Sequence, residues 1–164
     1  MSQQKVGFGG GCHWCTEAVF QALRGVTSVE QGFIRSTPPN QTWSEAVIVT
    51  YDTDLIDLET LANVHIRTHA ATAAHSMRPK YRSAIYIFSE SQQNEATIIL
   101  DGLGDEFENG LVTEALPFVD FKPSEDRLLN YYETNPDRPF CRRYIDPKLD
   151  LIRKKFSSQA LAGI

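Results

Sequence analysis

The chain has 164 residues, 41% of them apolar and 23% charged, which fits one hydrophobic core and excludes a disordered, collagen-like or fibrous chain. Sixteen basic against twenty-one acidic residues leave a net charge of −5, so broad phosphate binding, and with it a nucleic-acid partner, is disfavoured. No stretch reaches the roughly 20 apolar residues of a membrane helix, and the opening Met1-Ser2-Gln3-Gln4-Lys5 has no apolar signal core; a cytoplasmic protein with no membrane partner is expected.

In chain order, residues 5–8 read as a short apolar strand running into Gly9-Gly10-Gly11, where backbone freedom permits a tight turn. From 13 to 23 the apolar residues Trp14, Ala18, Val19, Ala22 and Leu23 fall at helical spacing, and Gly25 can stop the helix. Residues 26–34 read as a strand, Ser36-Thr37-Pro38-Pro39-Asn40 as a turn, and 45–51 as the clearest strand of the sequence. A helix is expected over 55–69, a strand over 81–88, a helix over 92–103 and a short strand over 111–115. Two further helices are expected over 124–133 and 147–156. The order is that of a split βαβ unit. The expected fold class is α+β: a ferredoxin-like βαββαβ core, a two-layer mixed sheet with helices, and a helical C-terminal extension. No repeat or linker divides the chain, so residues 1–164 are read as a single domain.

The three cysteines are the most informative residues. An odd count without a signal segment argues against a disulfide framework. Cys12 follows the glycine run and opens a helix, where unpaired N–H groups and the helix dipole stabilise a thiolate, the reactive form. Cys15 lies three residues on, along the same helical face. Such a pair also suits a thioredoxin-like dithiol or half of a zinc site. Zinc needs two more ligands, and only Cys141, His13, His65, His69 and His75 are available, with no second close pair; no metal is expected. His65 and His69 read as structural. Taken alone, Glu45 reads as a solvated strand-end acid, and Trp14 and Tyr81 equally as core or site aromatics.

Gly9-Gly10-Gly11-Cys12-His13-Trp14, then Tyr81-Arg82-Ser83-Ala84-Ile85, then Asn130-Tyr131-Tyr132-Glu133 through Phe140-Cys141 to Pro147-Lys148, resemble in order the motifs of the A-type peptide methionine sulfoxide reductases. The resemblance spans roughly residues 7–156. It implies a thiol-dependent oxidoreductase that reduces methionine S-sulfoxide, free or in peptides, and so repairs oxidised proteins. Cys12 then matches the nucleophile, Glu45 the acid that protonates the sulfoxide oxygen from a dry pocket, and Tyr81 a hydroxyl donor to the same oxygen. Trp14 matches a wall of the methyl pocket. Cys141 matches a resolving cysteine of some members, which condenses with the Cys12 sulfenic acid to a disulfide. No cofactor is implied; thioredoxin or another dithiol supplies the electrons.

Departures from that pattern cluster at the site. His13 stands where the family usually has Phe, and Cys15 where it has Gly, which adds a second candidate resolving thiol beside Cys141. Trp43-Ser44-Glu45 replaces Gly-His-Ala-Glu, and no tyrosine lies between Gly32 and Glu45; Trp43 or His13 is left to take the place of the missing oxygen donor. Ser76 stands for an Asp, and Arg127-Leu128-Leu129 for Tyr-His-Gln. Two other readings therefore stand beside the reductase: a Cys12–Cys15 dithiol oxidoreductase or redox sensor, and a non-catalytic paralogue that binds without turnover.

Overall fold

The run Ala46-Val47-Ile48-Val49 becomes a central strand because both of its faces are covered. Val47, Val49 and Tyr51 join the main core with the helices, while Ala46 and Ile48 pack in a second cluster on the other face. The computed structural model describes residues 2–69, 71, 78–108 and 110–161. Strands β1 (Gln3–Gly9), β2 (Val26–Arg35), β3 (Ser44–Asp52), β4 (Ala84–Ile87), β5 (Glu114–Pro117) and β6 (Asp120–Pro123) form one sheet in the order β5-β4-β1-β3-β2-β6. The inner order β4-β1-β3-β2, all antiparallel, is that of the expected ferredoxin-like core. β5 adds parallel to β4 and makes the sheet mixed; β6 adds antiparallel to β2.

Helices α1 (His13–Gln21), α2 (Leu58–Thr68) and α3 (Glu90–Gly104) are followed by a short α4 (Tyr131–Thr134) and by α5 (Asp146–Lys155). Phe8 of β1 and Phe20 of α1, both fully buried, stack at 4.5 Å; burying each ring contributes on the order of 2–3 kcal/mol. The second face of the sheet is closed by Ile34, Tyr86 and Leu116 with Phe118 and Phe121. Among the described residues, no helix is long and apolar enough to cross a membrane.

The differences from the sequence reading have identifiable physical causes. α2 begins at Leu58 rather than at 55 because Asp57 caps it, its carboxylate accepting the Thr60 N–H at 2.8 Å. Likewise Ser89 caps α3 through the Gln92 N–H. The strand expected over 111–115 forms three residues later. β6, which was not anticipated, pairs so tightly with β2 that a Cβ on Gly32 would lie 2.2 Å from the Lys122 carbonyl oxygen. The helix expected over 124–133 is broken: a 3-10 turn at Asp126–Leu128, then an extended Leu129, then a left-handed Asn130 (φ 54°) precede α4. The cause is Glu17 of α1, whose buried carboxylate accepts the Asn130 and Tyr131 N–H groups at 3.0 and 3.2 Å and turns the chain there. The last helix, expected over 147–156, is preceded by a widened turn at Cys141–Ile145 that runs directly into α5.

Candidate active site

β1 ends at Gly9 between Ala46, near the start of β3, and Ala84, at the start of β4. The chain then turns through Gly10 and Gly11 into α1. Gly10 must be glycine because a Cβ there would lie 2.5 Å from the His69 ring. Cys12 is the N-cap of α1, with extended backbone, and its carbonyl accepts the Cys15 and Thr16 N–H groups at 3.1 and 3.3 Å. Its thiol is half-buried. The Cys15 thiol, donating to its sulfur, holds the Cys12 pKa below the ordinary thiol range, helped by the Trp14 and Cys15 N–H groups at the helix start. Burial and the Glu45 charge oppose this. The same contact keeps the proton on Cys15, whose own pKa is pushed up, with burial adding to the effect.

Glu45 lies on the helix-facing side of β3, in register with Phe33 of β2, and is 7% exposed. Its Oε1 accepts the His13 backbone N–H at 3.2 Å and faces His13 Nε2 at 3.5 Å. Lys80 Nζ stands 3.8 Å from Oε2. The segment carrying Lys80 and Tyr81 is clamped onto β3: the Glu45 N–H and the Ser44 hydroxyl both donate to the Lys80 carbonyl, and the Arg82 N–H donates to Ser44 Oγ at 2.7 Å. Arg82, buried, spreads its guanidinium over Thr42 and the Tyr86 hydroxyl. Lys80 therefore sits over the Tyr81 ring at 5.2 Å, and contact with the Tyr81 hydroxyl and with Glu45 holds its ammonium pKa up. His13 is buried between β2 and Glu45, with Nδ1 2.9 Å from the Gly32 carbonyl and its ring edge-on to Phe33.

Trp14 stacks flat on Tyr131 at 4.1 Å and meets Phe140 edge-on at 5.5 Å. Glu17 makes this aromatic wall possible by fixing the turn into α4. Its carboxyl pKa is raised by burial, against the pull of the Asn130 and Tyr131 N–H groups. Trp43 is not brought into this wall: its ring is 37% exposed, between Arg35 and Lys122 at 5.6 Å from each.

Against the Cys12 thiol and Phe140 opens a cavity of about 290 Å³, lined also by Cys15, His65, His69 and Lys148 among others. Burial holds the Lys148 ammonium pKa down, while Cys15 and Cys12 face it and act the other way. Cys141 is fully buried at the start of the widened turn; its thiol donates to the Asn135 carbonyl at 3.6 Å, and burial pushes its pKa up. Of the two candidate resolving thiols, the fold thus sets Cys15 against Cys12 and encloses Cys141. All three cysteines are unpaired in this structure.

His65 Nε2 meets the Gly9 carbonyl at 2.7 Å, and His69 Nε2 meets Ser83 Oγ at 2.8 Å. Burial depresses both, His69 to about 4. Among the described residues no group of three or more His, Cys, Asp or Glu is gathered to hold a metal ion. Ser76 and His75 lie outside the described residues. Arg127 pairs with Glu125 at the surface, and the Leu128 carbonyl accepts from Gln31. Lys80 and Glu17 carried no signal of a role at the site, and Tyr131 and Lys148 stood in a motif of the resemblance without a role assigned to either. Each is ordinary in its own segment, and only long-range packing brings it there.

The Cys15 contact has a direct consequence for reactivity. In Cys15→Ala the Cys12 thiolate loses its strongest hydrogen bond, so its titration midpoint moves up. At pH 7, iodoacetamide should then alkylate Cys12 several-fold more slowly than in the wild type. An unchanged alkylation-versus-pH profile would show that the helix N-terminus alone sets the thiol.

The family model described as "Peptide methionine sulfoxide reductase" matches residues 4–160. A Deinococcus radiodurans protein named "Peptide methionine sulfoxide reductase MsrA" is 34% identical, over 96% of this chain and 84% of its own. Among solved structures, methionine sulfoxide reductase A of Corynebacterium diphtheriae superposes with a TM-score of 0.71 at 24% identity, covering 82% of this chain and 76% of that one. Mxr1 from Saccharomyces cerevisiae, solved in complex with Trx2, superposes with a TM-score of 0.64 at 20% identity, covering 76% and 83%.

Proposed function

The chain belongs to the peptide methionine sulfoxide reductase family, and from that premise we propose that it reduces methionine S-sulfoxide, free or in peptides, with Cys12 as nucleophile and Glu45 as acid. One observation carries the assignment of roles. The His13 N–H ties the buried Glu45 carboxyl to the first turn of the Cys12 helix, so a thiolate and an acid share one small space. A sulfoxide is a poor electrophile until its oxygen is protonated, and this pairing meets that need. Tyr81, beside Lys80, is assigned the hydroxyl contact to the oxygen. Trp14, backed by Tyr131, is assigned the apolar contact to the methyl group. Trp43 is assigned to the outer rim of the substrate site.

Cys12 Sγ⁻ attacks the sulfoxide sulfur and a proton from Glu45 goes to the oxygen. The S–S bond so formed and the S–O bond then both break as the hydroxyl passes from the substrate sulfur to Cys12. The sulfoxide gains two electrons, and methionine leaves behind a Cys12 sulfenic acid. The Cys15 thiol then displaces water from that sulfur, forming a Cys12–Cys15 disulfide. A thioredoxin-type dithiol reduces it by exchange; the complex of yeast Mxr1 with Trx2 supports this partner. Lys148 stabilises the thiolate expelled in that exchange. No prosthetic group enters these steps. A cycle that depends on free thiols and a reducing dithiol suits the cytoplasm.

The second reading, dithiol exchange without a sulfoxide, is favoured by the opposed shifts of Cys12 and Cys15. One experiment separates the two. Dithiothreitol-driven loss of methionine S-sulfoxide is followed by chromatography with the R form as control, then repeated with thioredoxin as donor for Cys15→Ser and Cys141→Ser. Loss of the S form only is expected, with thioredoxin turnover dropping in Cys15→Ser and persisting in Cys141→Ser. No loss of either form, with the Cys12–Cys15 disulfide still forming under mild oxidation, would replace the reductase by the dithiol reading.

A further inference from the structure

We propose that the open sheet face beside Glu45 docks acidic peptides: a side-chain carboxylate two or three residues from the methionine sulfoxide pairs with Lys122. The inference rests on the reductase reading above and names its substrate class. On the helix-facing side of the sheet, Glu45 of β3, Phe33 of β2 and Lys122 of β6 stand in one cross-strand row. Arg35 and Asp120 are opposite one another two residues further along. α1 begins at His13, whose ring meets Phe33 edge-on at 5.3 Å, and its cover of this face ends there. Beyond it Phe33 is half-buried, while Lys122 and Trp43, just before β3, are exposed. Ile34 and Phe121, the next residues on their strands, pack on the other face.

Lys80, Arg35 and Lys122 stand around this face, in a chain whose net charge is −5. Two of them have a counter-charge: Lys80 faces Glu45 and Arg35 faces Asp120, each at 3.8 Å. Lys122 has none. Its ammonium lies over the Phe33 and Trp43 rings at 5.2 and 5.6 Å and pairs with no carboxylate among the described residues. Aromatic faces hold a cation in place without neutralising it, so Lys122 keeps its full charge for an incoming anion. One uncompensated cation fits one side-chain carboxylate; a nucleic acid or an anionic membrane needs several. Distance then selects the position of the acid. Glu45 and Lys122 are two strands apart, about 10 Å, which is about three residues of extended peptide, and the reach of the lysine side chain shortens it to two or three. Phe33 lies between them in the row, with Trp43 beside the same ammonium, and both rings offer apolar contact to the intervening peptide.

The test uses short acetylated and amidated peptides with a central methionine S-sulfoxide and Glu, Ser or Lys at the positions two and three residues to either side. They are reduced with dithiothreitol by wild type, Lys122→Gln and Lys122→Glu. Because Lys122 is exposed, neither substitution disturbs the core. Each kcat/KM is divided by that of the same enzyme for free methionine S-sulfoxide, which cancels any loss common to the reacting site. Wild type should favour the Glu peptide over the Ser peptide by about fivefold at low ionic strength, the upper range of one exposed ion pair. The Lys peptide should fall below both, and the preference should fade in about 0.5 M salt. Lys122→Gln should bring the Glu and Ser peptides to within about twofold, and Lys122→Glu should reverse their order. Wild-type indifference to peptide charge, or a preference for the acidic peptide that persists in both variants, would overturn the proposal. So would variants that change only the KM for thioredoxin, which would make the face a docking site for the electron donor. Absence of turnover of free methionine S-sulfoxide and of every peptide in the wild type would instead remove the reductase reading, and the proposal with it.

Discussion

Cys12→Ser should abolish sulfoxide reduction, lowering turnover by roughly 10⁴-fold or more, the scale of removing a catalytic nucleophile. Two effects combine. A serine hydroxyl is not ionised by the hydrogen bonds that hold the Cys12 thiol below its ordinary range. More fundamentally, the step passes oxygen to the nucleophile. Sulfur accepts it as a sulfenic acid, whereas serine would have to become a hydroperoxide with a weak O–O bond. The substitution is nearly isosteric at a half-buried N-cap and should leave the fold intact, as circular dichroism and thermal melting can confirm. Turnover within tenfold of wild type would mean that Cys15 can serve as nucleophile, and the roles assigned to the two thiols would have to be exchanged.

Glu45→Gln should lower the single-turnover rate by about 10²–10⁴-fold, equivalent to roughly 3–5.5 kcal/mol of barrier. The amide oxygen can still accept the His13 N–H, so the side chain keeps its place while losing its acidic proton. A second readout moves the other way. The Glu45 charge raises the Cys12 pKa, so the variant thiol should ionise at equal or lower pH and alkylate at least as fast as in the wild type. A more reactive thiol in a much slower reductase is the signature of a missing acid. Parallel losses in both assays would point to a collapsed site, and an unchanged reduction rate would transfer the acid role to another group, Tyr81 first.

The α+β core was legible because periodicity and breakers report local preference. The alternation and doubly buried run of β3, the glycine turn before α1 and the Asp57 and Ser89 caps all act within a few residues. What failed was local pattern without local cause. β6 exists because Gly32 admits a neighbouring strand to van der Waals distance, and the expected helix over 124–133 breaks because Glu17, more than a hundred residues away, claims the Asn130 and Tyr131 N–H groups. The site divides the same way. Cys12, Cys15, Glu45, Tyr81 and Trp14 were singled out by motif or spacing, and packing gathers them at the end of β1. Trp43 was singled out by position alone and stays exposed between Arg35 and Lys122.

The sequence by itself determined the family resemblance, the strand–glycine–helix start at Cys12, and the i, i+3 spacing that offers Cys15 as the partner whose thiol lowers the Cys12 pKa. These are properties of contiguous residues, set by backbone geometry and helix dipoles. Only the tertiary structure decided that the His13 ring turns toward Gly32 and Glu45, that Lys80 bridges the acid and Tyr81, that Lys148 faces the thiols and that Cys141 is enclosed. The contacts of His13 with Gly32 and Glu45, of Lys80 with Glu45 and of Lys148 with the thiols join residues that are 19 to 136 positions apart. Side-chain direction and burial at such separations follow from how the whole sheet and its helices close on one another, which no local pattern encodes.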